Sequence, residues 1–288
     1  VPNDDLLWTP AELARRRAAD PRLLVLDTRP AEAYAMGHIP GATSADVWAI
    51  SFHDSRPEPL NAFLYTLQHY LEIRGVTLDR PVCWYSDFTD MKAARGFWIL
   101  EYFGHEDVHV LDGGYKAWVE AGLPATRDAE LPAAAALTPH PRRERLATVD
   151  DVAARLGRPE VVLVDTRSDD EFLGRWVRAA RPGTIPGSVH LEWTRSLDEA
   201  GRFLPPVQLR ALFERYGITA DREVISYCQG AYRGAHTYLA LRRLGYPTVR
   251  NYLGAWKEWS DRLDLPMEDA TRRRDPDRPD PAPVPHAR

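Results

Sequence analysis

Two cysteines occur in the 288 residues, Cys83 and Cys228, and their surroundings point to opposite roles. Cys228 follows the run Glu223 to Tyr227 and opens the segment Cys228-Gln229-Gly230-Ala231-Tyr232-Arg233-Gly234. A strand end, a short loop and a helix start turn successive main-chain N–H groups toward one centre, and the positive end of the helix dipole adds to them. A thiol at the head of such a cradle has its ionised form favoured and can act as a nucleophile. Gly230 and Gly234 are expected to ease the tight curvature, because glycine tolerates positive φ. Arg233 offers a fixed charge and a fork of donors for an oxyanion. Burial as a small apolar residue is the commoner fate of a free cysteine. That fate suits Cys83, inside the run Val82-Cys83-Trp84-Tyr85, better than it suits Cys228.

The elements that must hold this loop repeat. Leu24-Val25-Leu26-Asp27-Thr28-Arg29 returns as Leu163-Val164-Asp165-Thr166-Arg167, and Ile39-Pro40-Gly41 as Ile185-Pro186-Gly187. Leu111 to Trp118 returns as Asn251 to Trp256. A period of this length means a duplicated domain rather than a solenoid. In each copy a Thr cap followed by first-turn acids opens a helix (Thr9 with Glu12; Thr148 with Asp150 and Asp151). Short apolar runs follow at Leu23 to Leu26, Val82 to Tyr85 and Val108 to Leu111, and again at Val161 to Val164, Glu223 to Tyr227 and Val249 to Tyr252. Runs of this kind without alternation suit strands buried on both faces. Helices are expected at Lys92 to Tyr102 and Gly234 to Leu244. The order predicts an α/β fold of two tandem domains, each a mostly parallel sheet flanked by helices. Ligands bind beyond the carboxyl ends of such strands, where Cys228 stands. The expected division is a domain over 1–125, a linker over 126–146, a second domain over 147–269 and a disordered, Pro- and Arg-rich tail over 270–288.

The Cys228 loop resembles the active-site loop of the rhodanese family of sulfurtransferases. So do Asp27-Thr28-Arg29 through Gly37-His38-Ile39-Pro40-Gly41 and the later Leu253-Gly254-Ala255-Trp256. The resemblance spans roughly Leu7 to Pro266. It implies two rhodanese-like domains, the second catalytic. The first copy places Ser86 opposite Cys228, in a loop one residue longer and followed by Asp87. An alcohol is a poorer sulfur acceptor than a thiolate and Asp87 would repel anions, so the first domain is expected to be inactive. By resemblance, Gln229, Gly230, Ala231, Tyr232 and Arg233 line the cradle, and Arg167 stands where the family places a donor-binding Arg. The alternative for Arg167 is a salt bridge to Asp165. Asp27, Arg29 and Asp165 read as structural, and His38 as a turn-packing residue.

The expected reaction is a double displacement through a Cys228 persulfide, with thiosulfate as donor and a thiol or cyanide as acceptor and with no metal or organic cofactor. Gln229 and Arg233 favour thiosulfate over 3-mercaptopyruvate, whose relatives carry a Gly-Ser-Gly type of loop. A non-enzymatic persulfide carrier or partner-binding module is the rival of another class. Phosphatases and arsenate reductases place five residues between Cys and Arg; here only four intervene. Net charge is −5 with both signs interspersed, which argues against nucleic acid as a partner. The short runs Arg15-Arg16-Arg17, Arg142-Arg143 and Arg272-Arg273-Arg274 read as solvated. No apolar run is long enough to cross a bilayer. A monomer in the cytoplasm, without membrane attachment, is the expectation.

Overall fold

The structure, a computed structural model, describes residues 3–48 and 50–272. The first half runs β1 (Leu7–Trp8), α1 (Pro10–Ala19), β2 (Leu24–Asp27), α2 (Ala31–Met36), β3 (Ala42–Ser44), α3 (Pro57–Glu72), β4 (Val82–Tyr85), α4 (Met91–Tyr102), β5 (Val108–Leu111) and α5 (Gly114–Glu120). The second half repeats the order. It runs β6 (Leu146–Ala147), α6 (Val149–Ala153), β7 (Val161–Asp165), α7 (Asp169–Phe172), β8 (Val189–His190), α8 (Pro206–Arg215), β9 (Glu223–Tyr227), α9 (Tyr232–Arg243), β10 (Val249–Tyr252) and α10 (Ala255–Asp261). Each half builds a five-stranded parallel sheet, ordered β1-β5-β4-β2-β3 and β6-β10-β9-β7-β8.

The apolar runs become strands because both sheet faces are covered. Every residue of β2, β4, β5, β7 and β10 is buried. The expected caps form: the Thr9 hydroxyl accepts from the Glu12 N–H at 3.2 Å, and Thr148 closes a reciprocal box with Asp151. In both halves the Thr after the first Asp (Thr28, Thr166) donates to the carbonyl of the neighbouring strand's last residue, Tyr85 or Tyr227, at 2.9 Å. The duplicated Asp-Thr-Arg thus fastens the carboxyl edge of each sheet, where a site would lie.

One apolar core crosses the boundary between the halves, with α4 packed along α9. Polar contacts fix the pairing. Glu101 holds Arg242 at 2.7 Å, and His236 Nε2 bonds the Thr89 carbonyl at 3.1 Å. The segment expected as a linker lies along the first half rather than hanging free. Leu137 is buried, Ala135 donates to Glu72, and His140 and Arg142 donate to Phe103 and Tyr102. The expected disordered tail needs a correction at its start. Ala270–Arg272 forms a 3-10 turn and Ala270 is buried, because Glu268 is fastened to Thr184 by two main-chain bonds immediately before it. Residues 273–288 lie outside the described residues.

Candidate active site

Cys228 is the first residue beyond β9, and α9 begins four residues later. The main chain between them is held from outside. The Cys228 carbonyl accepts from Trp256 N–H (2.8 Å), that of Gln229 from Lys257 N–H (3.2 Å), and that of Ala231 from Asn251 Nδ2 (3.0 Å). With the carbonyls turned outward, the N–H groups of Gln229 to Arg233 find no acceptor among the described residues. They form an anion cradle at the N-terminus of a twelve-residue helix. The curvature does not come from the two glycines as expected. The left-handed residue is Ala231, at φ 65°, and neither Gly230 nor Gly234 has positive φ. The glycines answer a need for space. A Cβ on Gly234 would lie 2.6 Å from Asn251 Oδ1 and 3.1 Å from Tyr227 Cα; one on Gly230 would lie 3.0 Å from the His53 ring.

The cradle opens into a cleft of about 400 Å³ lined by both halves. Cys228, Gln229, Gly230, Tyr232, Arg233, Arg178 and Trp193 come from the second half, and Trp48, Ser51, His53 and Met91 from the first. Cys228 itself is 1% exposed, so an atom added to its sulfur is sheltered from bulk water. Tyr232 anchors the first-half wall. Its hydroxyl lies 2.6, 2.9 and 3.0 Å from the carbonyls of Val47, Trp48 and Ile50. Gln229 Nε2 donates to the Arg178 carbonyl at 2.9 Å, tying the loop to the opposite rim.

Charge in the site is mostly balanced. Arg233 makes a two-pronged bond to Glu171, with Nη2 to Oε1 at 2.9 Å. Burial works against the Arg233 charge, but Glu171 and the nearby Cys228 sulfur outweigh it and raise its pKa. Burial likewise works against charge on Glu171, yet Arg233 and the Ser168 N–H pull its pKa down, so the pair is ionised. Burial lowers the pKa of His53, and Lys257 and Arg95 lower it further, leaving the ring neutral near pH 7.

The corresponding first-half loop is filled by its own side chain. Ser86, opposite Cys228, donates to Asp90 Oδ2 at 2.6 Å, and Asp90 Oδ1 accepts from the N–H groups of Lys92 and Ala93. The carboxylate in this cradle is therefore Asp90. Asp87, expected to repel anions, is largely exposed and lies 3.9 Å from Arg29.

The structure brings five of the seven sequence-derived candidates to the cleft: Cys228, Gln229, Gly230, Tyr232 and Arg233. Ala231 lies behind the loop, fully buried. Arg167 is a correction: it is 2% exposed and does not line the cleft. Its Nε and Nη2 meet Asp165 at 2.9 and 2.6 Å, Nη2 also donates to the Gly183 carbonyl at 2.7 Å, and the guanidinium lies over Trp256. Arg29 makes the same fork to Asp27 and Gly37 in the first half, where no thiol stands. His38 packs its turn as expected, stacked on Tyr34 and bonded to the carbonyls of Tyr34 and Asp128. Cys83 is fully buried in β4, and burial pushes its pKa up.

Sequence reasoning missed Trp48, Ser51, His53, Met91, Arg178, Trp193 and Glu171. The first four belong to the half without a thiol. The pairing of α4 with α9 brings Met91 to Cys228, the Tyr232 hydroxyl holds the segment that carries Trp48, Ser51 and His53, and no local pattern encodes either contact.

Comparison with known proteins gives a consistent picture. The Rhodanese-like domain family matches the chain twice, over residues 9–121 and 148–262. A thiosulfate sulfurtransferase of Pseudomonas aeruginosa is 34% identical over 266 residues, spanning 91% of this chain and 97% of that one. The thiosulfate sulfurtransferase of Azotobacter vinelandii is 33% identical over 263 residues with the same coverage. Sulfur carrier protein TtuD of Thermus thermophilus is 33% identical, spanning 86% of this chain and 91% of that one. Among solved structures, the anaerobic ergothioneine biosynthesis enzyme of Chlorobium limicola, in complex with trimethyl histidine, superposes with a TM-score of 0.80 at 25% identity. It covers 92% of this chain and 70% of that one. Among the described residues no helix is long and apolar enough to cross a membrane.

Proposed function

The chain belongs to the rhodanese family and is a sulfurtransferase, and from that premise we propose that it moves a sulfane sulfur from thiosulfate to a thiol or cyanide through a persulfide on Cys228. One observation carries the reading: Cys228 heads a loop whose carbonyls are held from outside and whose main-chain N–H groups are left free at the start of α9. Such donors favour a thiolate and, after sulfur uptake, the charged outer atom of a persulfide.

In the first step the Cys228 thiolate attacks the outer sulfur of thiosulfate. A sulfur–sulfur bond forms to the enzyme, the one to the sulfonate breaks, and sulfite departs with the electron pair. In the second step cyanide or a thiolate attacks the outer persulfide sulfur and the Cys228 thiolate leaves. No redox cofactor enters the balance. Gln229, Gly230, Tyr232 and Arg233 form the substrate-facing side of the cradle, while Ala231 sets its curvature. The Glu171 partner makes Arg233 a fixed donor in this reading rather than a free charge for the sulfonate; Arg178 at the rim is the more accessible cation. Domains over 1–125 and 147–269, with 126–146 between them, belong to the same reading. The first is a catalytically inactive domain, because Asp90 occupies its cradle.

A carrier role is the second reading, favoured by the likeness to a protein named as a sulfur carrier. Intact mass after a thiosulfate soak tests the persulfide: a gain of about 32 Da is expected in the wild type and none in Cys228→Ser. Sustained thiocyanate production from thiosulfate and cyanide separates an enzyme from a carrier. A wild-type protein that gains no mass refutes the proposal.

A further inference from the structure

Resting on the Cys228 reading, we propose that Arg95, from the half without a thiol, is a positioning residue whose buried guanidinium stabilises the anionic sulfur on Cys228 from behind the loop. Arg95 lies on α4 and is 0% exposed. Its Nη1 donates to the carbonyl of Ala231, the N-cap of α9, at 3.3 Å. Its Nε and Nη2 have no acceptor. The rings of Tyr232 and Trp98 face the guanidinium at 4.8 and 5.2 Å.

Among the described residues the other buried arginines have carboxylates: Arg29 has Asp27, Arg167 has Asp165, and Arg250 has Asp151 and Glu223. Arg95 has none. A buried charge without a counter-ion is strongly disfavoured. An anion beside it removes the penalty, and the anion the proposed reaction places nearby is the Cys228 sulfur. Burial lowers the Arg95 pKa, while Tyr232 and Cys228 oppose that shift.

The other groups facing Cys228 do not supply this charge. Arg233 on α9 is matched by Glu171 on α7. Arg178 shares Glu171 and is 42% exposed at the rim, where solvent screens it. His53 is held neutral by burial, by Lys257 and by Arg95 itself. Among the described residues, the half without a thiol therefore contributes the one buried, uncompensated cation at the site.

The test uses the full chain and three substitutions. Arg95→Gln removes the charge and keeps a donor for the Ala231 carbonyl; Arg95→Met removes both; Arg95→Lys restores the charge. The readout is the pH dependence of Cys228 alkylation by iodoacetamide, followed by mass, with urea unfolding alongside. The midpoint is expected to rise by about one unit in the Gln and Met variants, an approximately ten-fold slower reaction below it, and to return toward wild type with Lys. Urea midpoints of the Gln and Met variants are expected to match or exceed wild type, since an unpaired buried charge has been removed. An unchanged alkylation profile in Arg95→Gln overturns the proposal, as does a loss of stability with no change in profile. Wild-type failure to take up sulfur would sink the persulfide reading instead, and the alkylation profile would still judge Arg95.

Discussion

Replacing Arg167 with Met tests whether this residue binds substrate or holds the sheet edge. The guanidinium meets Asp165 through two bonds of 2.6 and 2.9 Å with both side chains out of solvent. Removing one partner of such a pair strands the other, which typically costs about 3–5 kcal/mol. Urea unfolding of Arg167→Met is expected to show a loss of that size, while KM for thiosulfate in the folded fraction changes less than about two-fold. Adding Asp165→Asn should return part of the loss, because no charge then lies alone in the core. The pH dependence provides a second check. Burial works to raise the Asp165 pKa, but Arg167 outweighs it, and the folded value lies below the ordinary 3.8. The wild-type pair therefore contributes fully above pH 3.8 and is lost as pH falls through the depressed value. Without the Arg167 guanidinium, Asp165 keeps the neutral donors of Thr184, Tyr227 and the main chain against burial, and its pKa is expected to rise. The deficit of the variant should then shrink as pH drops from 7 toward 4. A KM raised ten-fold at wild-type stability would refute the argument and return Arg167 to the donor site.

Two further outcomes follow from the same reasoning. Introducing Ser86→Cys into a Cys228→Ser background should yield no persulfide in a thiosulfate soak, because Asp90 already fills the first cradle; a gain of about 32 Da would contradict this. Burial lowers the His236 pKa from 6.5 to about 3, against the hydrogen bond to Thr89. The unfolded chain then binds the extra proton first, so stability from this group is intact above pH 6.5 and falls by up to about 1.4 kcal/mol per unit below it. His236→Phe should flatten the stability curve by that slope between pH 6 and 4, and a parallel curve would show that the ring is charged in the fold.

The fold was legible because the chain states it twice. The apolar runs, the Thr caps and the Asp-Thr-Arg edges recur in the same order, and each recurrence checks the other. The edge strands β1, β3, β6 and β8 escaped notice because two or three residues carry no period. The thiol and its loop were equally legible, since a Cys at a strand end before a glycine-bearing turn is a local pattern. The source of the curvature was not. Ala231 takes a left-handed conformation that its type disfavours, and the bonds from Asn251 and Arg95 to its carbonyl hold it there. Arg167 could not be assigned from sequence because a donor-binding fork and a sheet-edge fork use the same residue type. The cleft's other wall lies more than 130 residues away in the chain, brought in by helix packing and by the Tyr232 hydroxyl, neither of which leaves a motif.

A phenol hydroxyl has one hydrogen to give, yet Tyr232 stands within bonding range of three carbonyls, those of Val47, Trp48 and Ile50. The proton can swing from one acceptor to the next without the latch ever standing open. A fastening with spare catches yields in small steps instead of releasing at once. Whichever carbonyl holds the proton, Tyr232 keeps the wall that carries Trp48, Ser51 and His53 fastened to the thiol-bearing half.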